Sequence, residues 1–331
     1  MIWRMPIEHR YSDIETCAQY LADELGPDLR IAAPLGLGKP HGLLNALYRL
    51  TAAAPARSMR LYTALSLTRP QPAPGLERRF LGPFLERHFG ADQVDPQYAL
   101  DQAHDTLPSN VEVHEFYMQS GALLHAGSAQ RNYISQNYTH VARDLMVQDI
   151  NLLVQLVARR EGPDGVHYSL SCNPDITLDF LSKQQVSGRQ RPLCVAVVHP
   201  DLPYLGGAAE VAEAYFDVEL CSEKSPRLFA LPRLPVDLTE YALGLHASAL
   251  VRDGGCLQIG IGALSDALVK ALLLRQQDNT QWRRALVALD PTGVTHALAG
   301  RLGGLTLFQS GLYGASEMVM DGFMHLQPPV S

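Results

Sequence analysis

The stretch "GGCLQIGIGALSDALVKALLL", residues 254–274, decides how the fold is read. An apolar strand runs into Gly260-Ile261-Gly262, and a helix begins at Ser265. Strand, glycine turn and helix in immediate succession form half of a βαβ unit. Glycines in such a turn let another group approach the backbone closely, and the N–H groups that open the helix carry partial positive charge. The turn therefore raises the question of an anionic ligand.

Outward from this stretch the same alternation continues. Upstream, residues 236–252 read as a helix. Asp237 and Glu240 have capping-box spacing, Leu238, Ala242, Leu245 and Ala249 share one face, and Asp253-Gly254-Gly255 ends it. Downstream, "RALVALD" (284–290) reads as a further strand. Nearer the N-terminus, "RIAAPLG" (30–36) and "MRLYTALSL" (59–67) are strand-like, with the helix "HGLLNALYRL" (41–50) between them. That helix places Leu43, Leu44, Leu47 and Leu50 on one face. "PAPGLERRFLGPFLERHFG" reads as a partly helical surface segment punctuated by Pro and Gly. "INLLVQLVAR" (150–159) and "PLCVAVVHP" (192–200) are almost continuously apolar, as strands covered on both faces must be. The expectation is an α/β fold with an open, largely parallel sheet and flanking helices. Boundary signals at 160–165, 184–191 and 222–237 suggest a first α/β domain over 1–235 and the start of a second over 236–331.

The chain's 331 residues suffice for one large domain or two modest ones. A formal charge of −7 argues against a general nucleic-acid binder. No apolar run reaches the ~18 residues of a membrane helix, and "MIWRMPIEHRYSD" is no secretory signal, so the cytoplasm is the expected compartment. Cys17, Cys172, Cys194, Cys221 and Cys256 are isolated and odd in number. They read as reduced core residues, neither a disulfide frame nor a zinc site.

The motifs, taken singly, leave alternatives open. Gly260-x-Gly262 resembles a dinucleotide turn, but Ser265 stands at the third glycine position and Asp290 lies 28 residues after Gly262, beyond the usual spacing of about 20. A tight turn without a ligand comes first, ahead of an anion or backbone-approach site and of a dinucleotide site. "PLGLGKPHG" (34–42) fails as a nucleotide P-loop, because Ala33 replaces the first glycine and Pro40 follows Lys39. Lys39 then reads as an exposed surface lysine or an anion contact. His199 ends a strand, where α/β folds place functional groups, though a structural role fits as well. No H-E-x-x-H zinc helix and no G-x-S-x-G elbow occur, and Ser248 lies inside a helix. Glu317 and Asp321 are spaced one helical turn apart, as an acid/base pair or as helix-start charges.

In order along the chain, four segments resemble the acetyl-CoA hydrolase/CoA-transferase family. The glycine loop with "KPHGLLNAL" is similar to that family's opening G-x-P-x-x-L turn. "VAVVHPDLPYLGG" (195–207) resembles its V-N-P-x-x-P-x-x-G segment, with His199 for the usual Asn. "HASALVRDGGCLQIGIGALSDAL" (246–268) resembles its I-x-D-G-x-x-L-Q-x-G-I-G-x-x-P-x-A stretch, with Ser265 for the usual Pro. "GLYGASEMVMDGFMHL" resembles its T-E-M-x-x-D-G-x-x-x-L segment. The resemblance implies a CoA-transferase-like α/β fold without metal or tightly bound cofactor, and coenzyme A or acyl-CoA with a small carboxylate as substrates. It implies transfer through a glutamyl-CoA thioester, a form of nucleophilic catalysis by carboxylate. Gly36, Gly38, Lys39, Pro203, Gly260, Gly262 and Ser265 become candidates for lining the cleft. The family's nucleophilic glutamate lies in a later N-S-x-x-E-V-D stretch that this sequence lacks, and Glu317 matches an earlier glutamate, so it is disfavoured as catalyst. The chain is therefore expected to be the N-terminal half of such an enzyme and inactive alone, as a truncated piece, a subunit whose C-terminal half a partner chain supplies, or a degenerate relative; a homodimer is the other assembly expected. A CoA- or NAD-binding module without catalysis, and a structural subunit, are the rival expectations.

Overall fold

The computed structural model describes residues 7–163, 165–318 and 320–326. Two compact units divide the chain, Met1–Ala230 and Leu231–Ser331.

In the first unit the elements run β1 (His9–Tyr11), α1 (Ile14–Glu24), β2 (Asp28–Ala32), α2 (His41–Ala52), β3 (Ser58–Thr63), α3 (Leu76–Phe89), α4 (Gln97–Ala103) and β4 (Val111–Glu115). They continue with α5 (Gly127–Arg131), α6 (Val141–Leu145), β5 (Leu152–Gly162), β6 (Gly165–Ser169), α7 (Asp175–Val186), β7 (Leu193–Val198), β8 (Glu210–Ala212) and β9 (Val218–Leu220). Seven strands form a parallel sheet in the order β1-β9-β7-β5-β2-β3-β4. The far half of β5 pairs antiparallel with β6, which pairs antiparallel with β8. This is the expected α/β architecture, a largely parallel sheet with flanking helices.

Sequence explains the central strands directly. In β5, Leu152 through Ala158 are all buried, so the run must be apolar on both faces. Its one polar residue, Gln155, is bonded: its amide donates to Leu170 O and Asn173 O, and its oxygen accepts from Thr177 Oγ. One face of the sheet carries Leu156, Val197 and Leu220 in a core with α1 and α2. The other carries Leu153, Val157 and Ala196 in a core with Phe180 of α7.

In the second unit, α8 (Leu238–Ala249), β10 (Cys256–Gln258), α9 (Ala263–Gln277), α10 (Asn279–Leu289), α11 (Val294–Leu302), β11 (Tyr313–Ala315) and α12 (Asp321–Leu326) follow in order. β10 and β11 form a two-stranded parallel sheet. The capping box at Asp237 and Glu240 is present in full.

The structure corrects three expectations here. Residues 284–290 are not a strand but lie mostly in α10. Trp282 and Leu286, four apart, are buried, whereas Val287 and Leu289 are exposed, which is a helical and not a two-sided pattern. Cys172, Cys221 and Cys256 are exposed; only Cys17 and Cys194 lie in the core, and all five are free thiols. Glu317 is not helical, because α12 begins only at Asp321, so the two carboxylates do not share a helix face.

Candidate functional site

The strand order reverses direction between β2 and β5: β3 and β4 are laid on one side of β2, then β7 and β9 on the far side of β5. Omitting β1 and renumbering, the order is 3-2-1-4-5-6, and ligands in such sheets bind beyond the carboxyl ends of the strands at the reversal. The segment that leaves β2 there is Pro34-Leu35-Gly36-Leu37-Gly38-Lys39.

Each residue of this loop has a local reason. Gly36 has φ +57°, a left-handed conformation that opens a short 3-10 turn over Gly36–Gly38. Gly38 has no room for a side chain: a β-carbon would fall 2.1 Å from Asn173 Oδ1 and 3.0 Å from Pro34 Cβ. Asn173 is held there by the bond from Gln155 to its carbonyl oxygen. Ser171, two residues earlier, has φ +51° and donates from Oγ to Pro203 O at 2.8 Å.

Lys39 is not a surface lysine. It is 2 % exposed, and its Nζ donates to Ala64 O and Ser66 Oγ, both at 2.9 Å. Ser66 Oγ in turn donates to Glu115 Oε1, whose carboxylate also accepts from Ser66 N. With the Ser66 proton committed, Tyr98 OH is the donor in its 2.9 Å bond to Ser66 Oγ. This buried network ties the loop after β2 to the ends of β3 and β4. Burial pushes the Lys39 ammonium down to about 8, against the pull of Glu115. Burial, with Lys39 nearby, lowers His41 to about 4, so its imidazole is neutral and donates from Nδ1 to Val94 O.

A cavity of about 110 Å³ lies against the loop on the α1–α2 face. Gly36, Leu37, Lys39, Pro40 and His41 line one wall, His199 and Val197 another, and Lys224 and Arg227 the rim. Helix α2 starts here without a side-chain cap, and His41, Gly42 and Leu43 of its first turn line the cavity. His199 is structural: buried, it donates from Nε2 to Pro226 O and accepts at Nδ1 from Asp201 N. A second, smaller cavity lies on the opposite face, against Pro34, Leu35 and Asn173.

Thus Gly36 and Lys39 line the larger cavity, while Gly38 lines neither and packs against Asn173. Pro203 lines neither cavity; its carbonyl holds the Ser171 turn that precedes Asn173. Gly260, Gly262 and Ser265 belong to the second unit. There Gly262, with φ +136°, is the N-cap of α9, and its carbonyl accepts from Ser265 N. Asp290 does not end a strand. Its carboxylate accepts from His296 N at the start of α11, so it is a helix-capping group and not a ribose partner. Sequence reasoning missed Gln155, Asn173, Ser66 and Glu115, which carry no motif and meet the loop only through the fold. Among the described residues no group of three His, Cys, Asp or Glu could hold a metal ion, and no described helix is long and apolar enough to cross a membrane.

No family model matches the chain, and no curated protein does. Solved structures do match. RipA from Yersinia pestis aligns over 81% of this chain and 54% of its own, at 17% identity and a TM-score of 0.54. A single-residue mutant of RipA aligns over 94% of this chain and 67% of its own, at 16% identity and a TM-score of 0.54. A 4-hydroxybutyrate CoA-transferase from Porphyromonas gingivalis also matches, over 80% of this chain and 51% of its own, at 18% identity and a TM-score of 0.47, too low to carry an argument. The chain thus spans about half the length of RipA. At these identities the likeness is one of fold: the α/β architecture of RipA, a largely parallel sheet with flanking helices.

Proposed function

We propose that the chain binds coenzyme A or acyl-CoA, with a small carboxylate, as part of a CoA-transferase-like or acyl-CoA hydrolase enzyme. The observation that carries this reading is the glycine loop at the β2/β5 reversal. It faces a cavity with an apolar lining, a cationic rim of Lys224 and Arg227, and the uncapped start of α2. Such a cavity suits a ligand with an anionic end and an apolar arm. The four ordered segments that resemble the acetyl-CoA hydrolase/CoA-transferase family supply the substrate class. Gly260 and Gly262 are proposed as exposed backbone of the second unit that a ligand can approach, with the half-buried Ser265 beside them.

In this reading the attacking carboxylate is not one of the buried glutamates of the first unit. Glu115 is engaged by Ser66, and Glu219 by Arg10 and Tyr168. Glu317 stays disfavoured. The glutamate is then supplied by another polypeptide segment, such as a partner chain, and this chain alone does not turn over acyl-CoA. A dinucleotide reading has the 3-2-1-4-5-6 order in its favour. Against it, β3 ends in Thr63 and offers no carboxylate to a ribose.

Titration calorimetry with CoA, acetyl-CoA and NADH tests the proposal. CoA and acetyl-CoA should bind, weakening with salt and with Lys224→Ala/Arg227→Ala, while NADH should not. Binding of NADH in preference to CoA, or acyl-CoA turnover by the chain that is lost in Glu317→Gln, would overturn it.

A further inference from the structure

Helix α3 divides its apolar residues between two faces. On the inner face Leu85 and Phe89 are buried, and the Phe89 ring centroid lies 4.8 Å from that of Phe229. Ala230 N donates to His88 O, and His88 Nδ1 donates to Ala230 O. The C-terminal end of the helix is therefore held in place. On the outer face Leu76, Phe80 and Phe84 recur every four residues and are 76 %, 79 % and 43 % exposed. Residues four apart are neighbours on a helix surface, so the three make one continuous apolar stripe turned to solvent. The His88 ring, 4.4 Å from that of Phe84, extends it. Single exposed apolar residues are ordinary, but a contiguous strip of two phenylalanines and a leucine marks an interaction surface.

The charges beside the stripe decide which partner fits. Glu77, Arg79, Glu86 and Arg87 are all exposed, and among the described residues none of them forms an ion pair within the chain. Consider two copies of α3 laid antiparallel about a twofold axis, with Phe80 of each against Phe84 of the other. Counting outward from that contact, Arg87 falls opposite Glu77, and Arg79 falls within one residue of Glu86. Both pairs occur twice, because a twofold contact is self-complementary. A parallel pair would instead set Arg79 against Arg79 and Glu86 against Glu86. The stripe offers a few hundred Å² per copy, below the about 800 Å² per partner of a standard interface, so the contact is a weak one.

We infer that the outer face of α3 is a self-association surface. Leu76, Phe80 and Phe84 of one copy dock antiparallel on the same residues of a second copy, with Arg79–Glu86 and Arg87–Glu77 pairs beside them. The inference does not depend on the CoA reading. Phe229, which packs on Phe89, also lines the larger cavity, so the contact adjoins the rim of that cavity.

Sedimentation equilibrium of the 331-residue chain tests it. With a Kd on the order of 10 μM, the mean mass should rise from one chain near ~1 μM toward two chains above ~100 μM. Phe80→Glu should weaken association about tenfold or more and leave the melting temperature unchanged, because the side chain is exposed. Arg79→Glu should weaken it about threefold, and adding Glu86→Arg should restore it. A chain that stays monomeric at ~100 μM, association that Phe80→Glu leaves intact, or a charge swap that restores nothing would each overturn the inference. The chain is also spun with phosphatidylglycerol vesicles. A monomer that pellets with them, and no longer does so as Phe80→Glu, would assign the stripe to a membrane surface and overturn the inference too.

Discussion

Asn173 Oδ1 occupies the place a β-carbon on Gly38 would need, 2.1 Å away, so the loop after β2 and the turn before α7 are packed backbone against amide. Gly38→Ala must displace Asn173, and overpacking of this kind costs about 1–3 kcal/mol. Urea unfolding should show that loss in Gly38→Ala. It should be partly restored in Gly38→Ala/Asn173→Ala, whose two changes touch the same contact and will not add. Equal stability of the single variant and wild type would mean that the contact is not made.

Lys39 and Glu115 are buried charges joined through Ser66, and removing one strands the other. Lys39→Met should cost about 3–5 kcal/mol, and adding Glu115→Gln should recover part of it. The pH dependence has a definite sign. The Lys39 ammonium is lowered in the folded protein from 10.5 to about 8, so between those values the unfolded chain binds more protons. Its contribution therefore makes stability rise with pH across roughly pH 8 to 10.5. Unfolding curves across that window should show a more positive slope in wild type than in Lys39→Met.

Arg275 is fully buried in the second unit, and among the described residues no carboxylate is bonded to it. Its guanidinium donates to the carbonyls of Thr306, Ser248 and Val251 and stacks 4.1 Å from the Phe308 ring centroid. Only a planar fork of donors reaches three backbone oxygens at once. Arg275→Lys and Arg275→Met should both lower the melting temperature of this unit, each by a loss of about 3 kcal/mol. Unchanged melting of the lysine variant would show that the fork geometry is dispensable.

Asp253 accepts from the backbone N–H groups of Gln309, Ser310 and Gly311, the segment that leads into β11. Those bonds, first that from Gln309, hold its carboxyl below the usual carboxylate range. A depressed carboxylate stabilises above its unfolded value and loses that contribution as pH falls through the folded one. Asp253→Asn should flatten the acid limb of a stability profile below about pH 4, the ordinary carboxylate value, and speed amide exchange in β10 and β11. An unaltered acid limb would dissociate Asp253 from the register of that pair.

The sequence by itself determined the central strands β2, β3, β5 and β7, the helix α2 and the start of α8. Two-sided burial forces β5 and β7 to be continuously apolar, and Asp237 with Glu240 signals a helix start without help from the rest of the chain. It also flagged Gly36, Gly38 and Lys39, because glycines beside a strand end have few other uses. It misjudged 284–290, since a short apolar run reads alike in a strand and on one helix face until its neighbours are known. It could not distinguish a buried Lys39 from an exposed one, because burial of a charge depends on Ser66 and Glu115, far along the chain. Only the tertiary structure decided that the strand order reverses beside Gly36–Gly38, that Gln155 and Asn173 close on that loop, and that Asp290 caps a helix. Those relations join residues from separate strands, and no local spacing encodes which strands become neighbours.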